Sequence, residues 1–462
     1  MRSSMRRSCT AGAQYEHWAI RRVGTVPVRM RLVRAIAWTG LGQLTLAAAG
    51  IVSAALVNRA IAPAGRGIVA EAQTWAALFV TLLGLSLASS IYHFANRERY
   101  AISDAGRMFA VLVTSAMVSL AATLGLAAVL FFPAGAVSPD TVLAWPALIG
   151  LPAASIFCTN FQTLALALGR ARLSAVANLL MAFLSLALLL PAYEAGVLDV
   201  PYVLFVAVIV QAVGAVFVFI PLWRSVGIGS AGIDTRFLWA FLCAGLKQHV
   251  GTISMFAYTR VNQLIVFHFW GDRETGLLAA AHALAFGCFT AFSAAQAALY
   301  SQIVQDKSDG LDLTIAMMRI ALYSGFFLVI PAMLAAEWLL QAYGGSQFIE
   351  AAWYFRMLAP AAWVLSVAGM AAPYYVRAGA FTLASANSVI VAVIGVGLNL
   401  WLVPALGANG AAAATLLTLA LAFFGVLWMI RIMSGAWPWR AFVPDFRSER
   451  AQLAAWWQSA RP

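Results

Sequence analysis

Long apolar stretches separated by short polar connections make up most of the chain. The run MFAVLVTSAMVSLAATLGLAAVLFF is typical, because it is apolar all round and does not alternate at every second position as a strand of a membrane barrel would. A helix needs about 20 apolar residues to cross a hydrocarbon core of roughly 30 Å. The pattern therefore predicts an all-α integral membrane protein. Its twelve predicted transmembrane helices cover residues 35–57, 69–92, 108–132, 143–167, 173–193, 200–223, 249–270, 277–300, 315–338, 351–375, 381–403 and 409–432.

The composition excludes a soluble enzyme. Hydrophobic residues account for 63% of the chain and charged residues for 10%, whereas an ordinary soluble domain has roughly 25% charged residues. The predicted outer connections are too short to hold an extramembrane catalytic domain. The sequence also lacks the paired carboxylates or His/Cys clusters of a hydrolase or metalloenzyme. We therefore expect no enzymatic activity, catalytic residue, metal site or cofactor.

The distribution of basic residues predicts the orientation in the membrane. When the connections are assigned alternately to two sides, 22 of the 29 Lys and Arg residues lie on the side of the N-terminus. Only Arg59, Arg66 and Arg273 fall on the opposite side, where the default interpretation is anchoring at the membrane interface. The positive-inside rule then places both termini in the cytoplasm. Most of the net charge of +12 follows from this topology, so no nucleic-acid partner is expected.

The predicted helices divide into two lobes of six around a central cavity. Residues 1–34 form a basic cytoplasmic tail, with Met30 as an alternative start, and residues 433–462 form a second cytoplasmic tail. The lobes cover 35–223 and 249–432, and 224–248 is a connection with an interfacial helix. An internal repeat supports this division, because residues 54–73 align with 263–282 at an offset of 209 that pairs Gly67 with Gly276. Two six-helix lobes with parallel topology are one arrangement used for alternating access.

The seventh predicted helix carries charge inside the membrane. A charge near the bilayer centre costs at least about 2.5 kcal/mol on insertion scales and is a functional hypothesis by default. Arg260 lies at the midpoint of this helix, where it either lines a hydrophilic cavity or hydrogen bonds with backbone carbonyls. Lys247, Tyr258 and Asn262 share a different face, and Lys247 has the alternative of extending to the cytoplasmic surface.

Other polar residues in the helices have the same two interpretations. His282 and Gln296 share a face of the eighth helix, and Gln43 occupies a similar position in the first. They either line a cavity or serve helix packing. No Asp or Glu falls at the centre of a predicted helix, which favours an anionic substrate group over a cationic drug. The candidate substrate-binding residues are Arg260, Lys247, Tyr258, Asn262, His282, Gln296 and Gln43.

Three segments carry a resemblance to a known family. They are LVNRAIAPAGRGIVAEA after the first helix, RVNQLIVFHFWGDRETGLLAAAHAL in the seventh and eighth, and PALGANGAAAATLLT before the twelfth. The chain resembles the Wzx-type polysaccharide flippases of the multidrug/oligosaccharidyl-lipid/polysaccharide superfamily. The match to the family's leader before the twelfth helix comprises Gly407, Gly410, Ala411, Ala412 and Thr415.

The resemblance implies a function in surface polysaccharide assembly. Such a protein would flip polyprenyl-diphosphate-linked oligosaccharide repeat units of O-antigen, capsule or exopolysaccharide across the bacterial inner membrane by alternating access. Its partners would be this substrate, the membrane lipids, a polysaccharide polymerase and chain-length proteins. One alternative is a multidrug or small-solute antiporter of the same superfamily, which would need an essential intramembrane acid; Glu71 is the nearest candidate. A second alternative is a non-transporting scaffold of a polysaccharide assembly complex.

Overall fold

All regular secondary structure that the computed structural model describes is helical. The described residues are 28–95, 102–131, 139–226, 235–290, 292, 296, 310–378, 380–439 and 442–443. Most of the two predicted cytoplasmic tails, residues 1–27 and 444–462, lies outside these ranges.

The helices fall into two groups along the chain. The first group comprises α1 Val28–Leu83, α2 Leu87–Ala95, α3 Ile102–Phe131, α4 Pro139–Ala167, α5 Ala171–Glu194 and α6 Val200–Val226. The second group comprises α7 Thr235–Cys288, α8 Leu311–Leu334, α9 Ala336–Gly344, a 3-10 helix Ser346–Ala351, α10 Ala352–Gly369, α11 Ala372–Arg377 and α12 Phe381–Ser434.

Three of these helices are hairpins of two antiparallel arms. Each contains one residue with non-helical backbone angles: Ala62 in α1 (φ 57°, ψ 178°), Gly271 in α7 (φ 77°, ψ −166°) and Gly407 in α12 (φ 60°, ψ −140°). Gly50 and Val80 line the same cavity, although on one straight helix they would be about 45 Å apart at roughly 1.5 Å per residue. The chain therefore reverses direction at Ala62, and equivalent contacts between arms occur in α7 and α12.

When each hairpin is counted as two helices, the described residues contain twelve membrane crossings. Eight helical segments are long and apolar enough to cross a membrane, and those in α1 and α12 each do so twice. The two arms of α7 are less apolar and are not among these eight, but they pack along the arms of α1 and bring the number of crossings to twelve. Six crossings precede residue 226 and six follow residue 235, which confirms the predicted all-α architecture of two six-helix lobes. The protein is a multi-pass membrane protein.

The structure departs from the predicted division before the seventh span. The first arm of α7 runs unbroken from Thr235 to the reversal at Gly271, through the predicted boundary at residue 248. Its beginning packs into the N-terminal lobe, where Phe241 is fully buried in a cluster with Leu87 and Phe109. Among the apolar residues that suggested an interfacial helix, the first lobe covers Phe241, whereas Trp239 and Leu246 are exposed.

The two lobes meet at a pair of glycines related by the internal repeat. A Cβ atom on Gly67 would overlap the backbone of Asp272, and one on Gly276 would overlap the backbone of Pro63. The offset of 209 found in the sequence relates Gly67 to Gly276, and also Pro63 to Asp272. This contact therefore lies on a pseudo-two-fold axis between the hairpins α1 and α7. We call it the glycine contact.

From the glycine contact toward the opposite side of the membrane, the second arm of α1 runs antiparallel to the first arm of α7. The Thr74 hydroxyl donates a hydrogen bond of 2.9 Å to Gln263 Oε1, and the Ser86 hydroxyl donates one of 2.9 Å to the Thr252 hydroxyl. Both pairs join the N-terminal lobe to α7. The contact between these two arms thus extends over much of the membrane thickness.

Candidate functional site

A cavity of about 690 Å³ lies in the N-terminal lobe and faces the second arm of α7. Both arms of α1 line it, together with α4, α5 and α6, and Ala283 and Gly287 of α7 complete the wall. Most of the lining is apolar. The polar side chains at its surface are Ser53, Arg66, Gln73, Thr81, Ser155, Ser185, Gln211, Thr290 and Tyr343.

At two positions of the cavity lining, the N-terminal lobe carries smaller side chains than the repeat-related positions of the C-terminal lobe. Ala77 and Val80 line the cavity, and the offset of 209 places Phe286 and Phe289 at the equivalent positions of the C-terminal lobe. Phe286 stacks on His282, with ring centroids 4.1 Å apart and an interplanar angle of 11°. Phenylalanine rings of the C-terminal lobe therefore stand where the N-terminal lobe has small cavity-lining side chains.

Arg66 is the charged residue of the cavity lining, which corrects its predicted place at the outer rim. Its exposed fraction is 9%, and its Nε atom is buried without a hydrogen-bonding partner. Tyr343 of α9 lines the cavity beside it. No carboxylate belongs to the described part of the lining. Because α9 covers this side of α1, Arg66 is enclosed instead of lying at the membrane interface.

Arg260 faces away from Tyr258 and Asn262, as their spacing on the helix predicted. Its side chain is exposed in the structure, whereas those of Tyr258 and Asn262 are buried. The positive charge of Arg260 is close enough to interact with Arg66 of the opposite lobe and with His282. Arg260 and Arg66 therefore form a region of positive potential between the lobes.

Two of the predicted site residues pack within the C-terminal lobe. Tyr258 lies in an apolar cluster that includes Val391 and Leu419. The Asn262 amide donates a hydrogen bond of 2.9 Å from Nδ2 to the Thr415 hydroxyl. Both side chains make interhelical contacts in this structure.

Three other candidates, His282, Gln296 and Gln43, also lie outside the described cavity lining. His282 is 3% exposed and stacked on Phe286, Gln296 packs against Gly369, and Gln43 is half-buried. The backbone of Lys247 belongs to α7, but its side chain lies outside the described residues. Binding of a substrate by these residues stays a prediction.

The cavity was not among the features predicted from the sequence. Its lining consists largely of small apolar residues, which have no chemical signature of their own. The repeat aligns Ala77 and Val80 with phenylalanines of the other half, but it also aligns Phe79 with Cys288. Side-chain size in the repeat therefore did not indicate which lobe holds the cavity.

Comparison with known proteins relates the fold to a class of transporter structures. No protein-family model and no curated protein sequence matches the chain. Among solved structures, the chain is similar to an outward-facing multidrug resistance MATE family transporter of the MOP superfamily, with a TM-score of 0.66 and 16% identity over 89% of this chain and 99% of the other. An inward-facing structure with the same description gives a TM-score of 0.58 and 19% identity over 89% and 96%. A MATE transporter variant from Vibrio cholerae gives 0.64 and 13% over 88% and 96%. The chain has the two-lobed fold of MATE transporters.

Proposed function

We propose that this protein is a transporter that carries an amphipathic molecule with an anionic group across the membrane by alternating access. The observation that carries the proposal is the cavity beside the lobe boundary, with Arg66 in its lining and no carboxylate among the described lining residues. A cavity of about 690 Å³ is in the usual size range of small-molecule sites, roughly 300 to 1,000 Å³. Its position supports access from alternate sides as the lobes rock about their contact.

The charge of the site supports an anionic substrate. A buried guanidinium without an acidic partner is unfavourable, and an anion from the substrate would supply that partner through charge-assisted hydrogen bonds. Arg260 adds a second positive charge from the opposite lobe. A cationic solute would be repelled by both arginines.

Two classes of substrate fit this chemistry. The first is a small amphipathic solute, the class of the multidrug or small-solute antiporter. It is supported by the similarity to transporters described as multidrug resistance proteins and by a volume suited to a drug-sized molecule. In this class the cavity would enclose the solute in the N-terminal lobe.

The second class is a polyprenyl-diphosphate-linked oligosaccharide, flipped across a bacterial inner membrane with both termini of the protein in the cytoplasm. It is supported by the resemblance to Wzx-type flippases and by the positive potential between the lobes. Arg66 and Arg260 would hold the diphosphate, the polyprenyl chain would stay in the lipid, and part of the oligosaccharide would occupy the cavity. Membrane lipids, a polysaccharide polymerase and chain-length proteins would be its partners.

Deletion of the gene distinguishes the two classes. Complete, unpolymerised repeat units accumulating on the cytoplasmic leaflet would identify the flippase, and unchanged lipid pools with increased sensitivity to anionic amphipathic compounds would identify the small-solute exporter. Complementation with Arg66→Gln and with Arg260→Gln should each restore export poorly. The control is Arg172→Gln, which removes a charge that lies over the Trp38 ring, 5.6 Å from its centroid.

The result that contradicts the proposal is normal export by the Arg66→Gln, Arg260→Gln double variant at normal protein levels. A deletion strain that loses polymer while its lipid intermediates are already on the outer leaflet would support a scaffold role instead of transport.

A further inference from the structure

Three buried polar side chains meet at the outer end of the cavity, and two of them have atoms without a hydrogen-bonding partner. Asn58 is 1% exposed, and neither its Nδ2 nor its Oδ1 atom has a partner with hydrogen-bond geometry. The Nε atom of Arg66 also has none. Tyr343, 5% exposed, lies beside both residues, and its hydroxyl is near enough to the Asn58 amide for a hydrogen bond with poor geometry. Asn58 and Arg66 belong to the N-terminal lobe and Tyr343 to the C-terminal lobe, so the cluster spans the lobe boundary.

Buried polar groups are normally satisfied, and an unsatisfied cluster requires a physical reason. Leaving one such group without a partner costs more than a hydrogen bond contributes, and the penalty is larger for a charged group. Here a guanidinium, an amide and a phenol share one enclosed place. A ligand that accepts hydrogen bonds would remove the penalty of the unpaired donors, which are Arg66 Nε and Asn58 Nδ2.

The sign of that ligand follows from the surrounding charges. Among the described residues, no carboxylate pairs with Arg66: the Glu71 carboxylate accepts from Trp75, and Glu337 and Glu350 pair with arginines of their own lobe. Burial raises the pKa of the Tyr343 hydroxyl, so the phenol stays protonated and able to donate. The cluster therefore offers an Arg guanidinium, an amide NH₂ and a phenolic O–H, which are donors.

We propose that Asn58, Arg66 and Tyr343 form a binding site for a small anion that bridges the two lobes at the outer end of the cavity. The anion is a halide from solution or the phosphate group of the transported molecule. The second source rests on the proposed function, whereas the first is independent of it.

Occupancy of this site favours the closed outer contact between the lobes. The site lies beside a further link between the lobes, in which Arg59 Nη2 donates to the Ala342 carbonyl oxygen at 2.7 Å. An anion held by donors of both lobes binds best when the lobes are together, and by linkage it stabilises that state. Without the anion, the positive charge of Arg66 lies buried and uncompensated at the contact.

The test uses the purified full-length protein in a chloride-free gluconate buffer. Its unfolding temperature should rise saturably on titration with chloride, because a ligand that binds the folded state stabilises it. Arg66→Gln should raise the half-saturating chloride concentration by about tenfold or more, since a charge-assisted hydrogen bond is lost. Tyr343→Phe, which keeps the ring and removes only the hydroxyl, should weaken binding without disturbing the fold.

The matched control is Arg273→Gln. This residue carries a positive charge on the outer side, but it is 53% exposed and pairs with Glu350, so its loss should leave the chloride titration unchanged. A competition with inorganic pyrophosphate separates the two sources of the anion. Displacement of chloride by pyrophosphate assigns the site to the phosphate of the substrate, and independent effects assign it to a halide.

Two results would overturn the inference. One is an unfolding temperature that does not respond to chloride or to pyrophosphate. The other is an identical titration for wild type, Arg66→Gln and Tyr343→Phe. A wild type that binds chloride but transports neither substrate class would refute the proposed function and leave this site standing, so the two failures are distinguishable.

Discussion

Replacing Gly67 with alanine should force the two lobes apart at the glycine contact. The added Cβ atom would overlap the carbonyl oxygen of Asp272 and lie 2.6 Å from its carbonyl carbon and 2.9 Å from its Cα atom. Favourable carbon–carbon contacts begin at about 3.5 Å, so the backbones must separate by roughly 1 Å. Both partners are main chain, and no side-chain rotation can relieve the overlap.

The magnitude of the effect follows from the cost of overpacking. Inserting a methyl group into a closely packed contact typically costs about 1 to 3 kcal/mol. If that cost falls on the glycine contact alone, the equilibrium shifts about five- to 150-fold toward states in which the contact is open. The expected result is greater access from the outer side to residues below Gly67.

The rate at which a cysteine at position 74 reacts with a thiol reagent measures that access. Thr74 is buried and hydrogen bonds with Gln263 of the other lobe, so a reagent reaches it only when the arms separate. In a background without native cysteines, Thr74→Cys should react with a membrane-impermeant maleimide several times faster when Gly67→Ala is also present. Gly276→Ala should have the same effect, because the pseudo-two-fold axis places it against Pro63.

Gly397→Ala is the matched control. A Cβ atom there meets nothing within 4 Å, and alanine in a helix interior is favoured over glycine by about 1 kcal/mol. This variant should be as stable as wild type or more so, with unchanged labelling of the reporter. Equal labelling rates and unfolding temperatures for Gly67→Ala and Gly397→Ala would refute the steric reasoning.

Three further predictions test other parts of the molecule. Ala62 adopts φ 57° and ψ 178°, a region that costs non-glycine residues about 1 to 3 kcal/mol. Ala62→Gly should therefore raise the free energy of unfolding by about 1 kcal/mol. An unchanged or lower free energy of unfolding in denaturant titrations would contradict this. Asn262→Ala and Thr415→Val should each cost about 1 kcal/mol, because they break one buried hydrogen bond, and their effects should be less than additive in a double-mutant cycle. Glu71→Gln should leave export driven by a proton gradient intact, because the Glu71 carboxylate accepts a hydrogen bond of 3.3 Å from Trp75 and does not line the cavity. Loss of gradient-driven export would instead assign Glu71 the coupling role that the antiporter requires.

The sequence repeat predicted more of the structure than its few identities suggested. The offset of 209 that pairs Gly67 with Gly276 also relates the two reversals at Ala62 and Gly271. A close approach of two backbones leaves no room for a side chain, so glycine is required on both sides of the contact. The need for glycine at this contact therefore left a pattern in the sequence that identifies the lobe boundary.

The position of Arg66 could not be derived from the same reasoning. The distribution of basic residues shows on which side of the membrane a connection lies, but not what covers it. In the structure, α9 of the other lobe encloses Arg66 together with Asn58. This contact joins residues about 280 positions apart in sequence, and hydrophobic patterning carries no information on such pairings.

Helix periodicity was equally uninformative about the cavity. The predicted helices are apolar all round, so no polar face distinguishes the side that faces a cavity from the side that faces lipid. Tyr258 and Asn262 share a face, as predicted, but that face is buried against Val391 and Thr415 of α12.

In the proposed transport cycle, the two lobes would have different roles. The N-terminal lobe has space beside Ala77 and Val80, whereas Phe286 and Phe289 pack in apolar clusters of the C-terminal lobe. Rocking of the lobes would need a contact that opens without repacking side chains, and the glycine contact meets this requirement because it is made of main chain. An anion bound beside it would then bias the same contact through charge, which links what the cavity holds to which side of the membrane it faces.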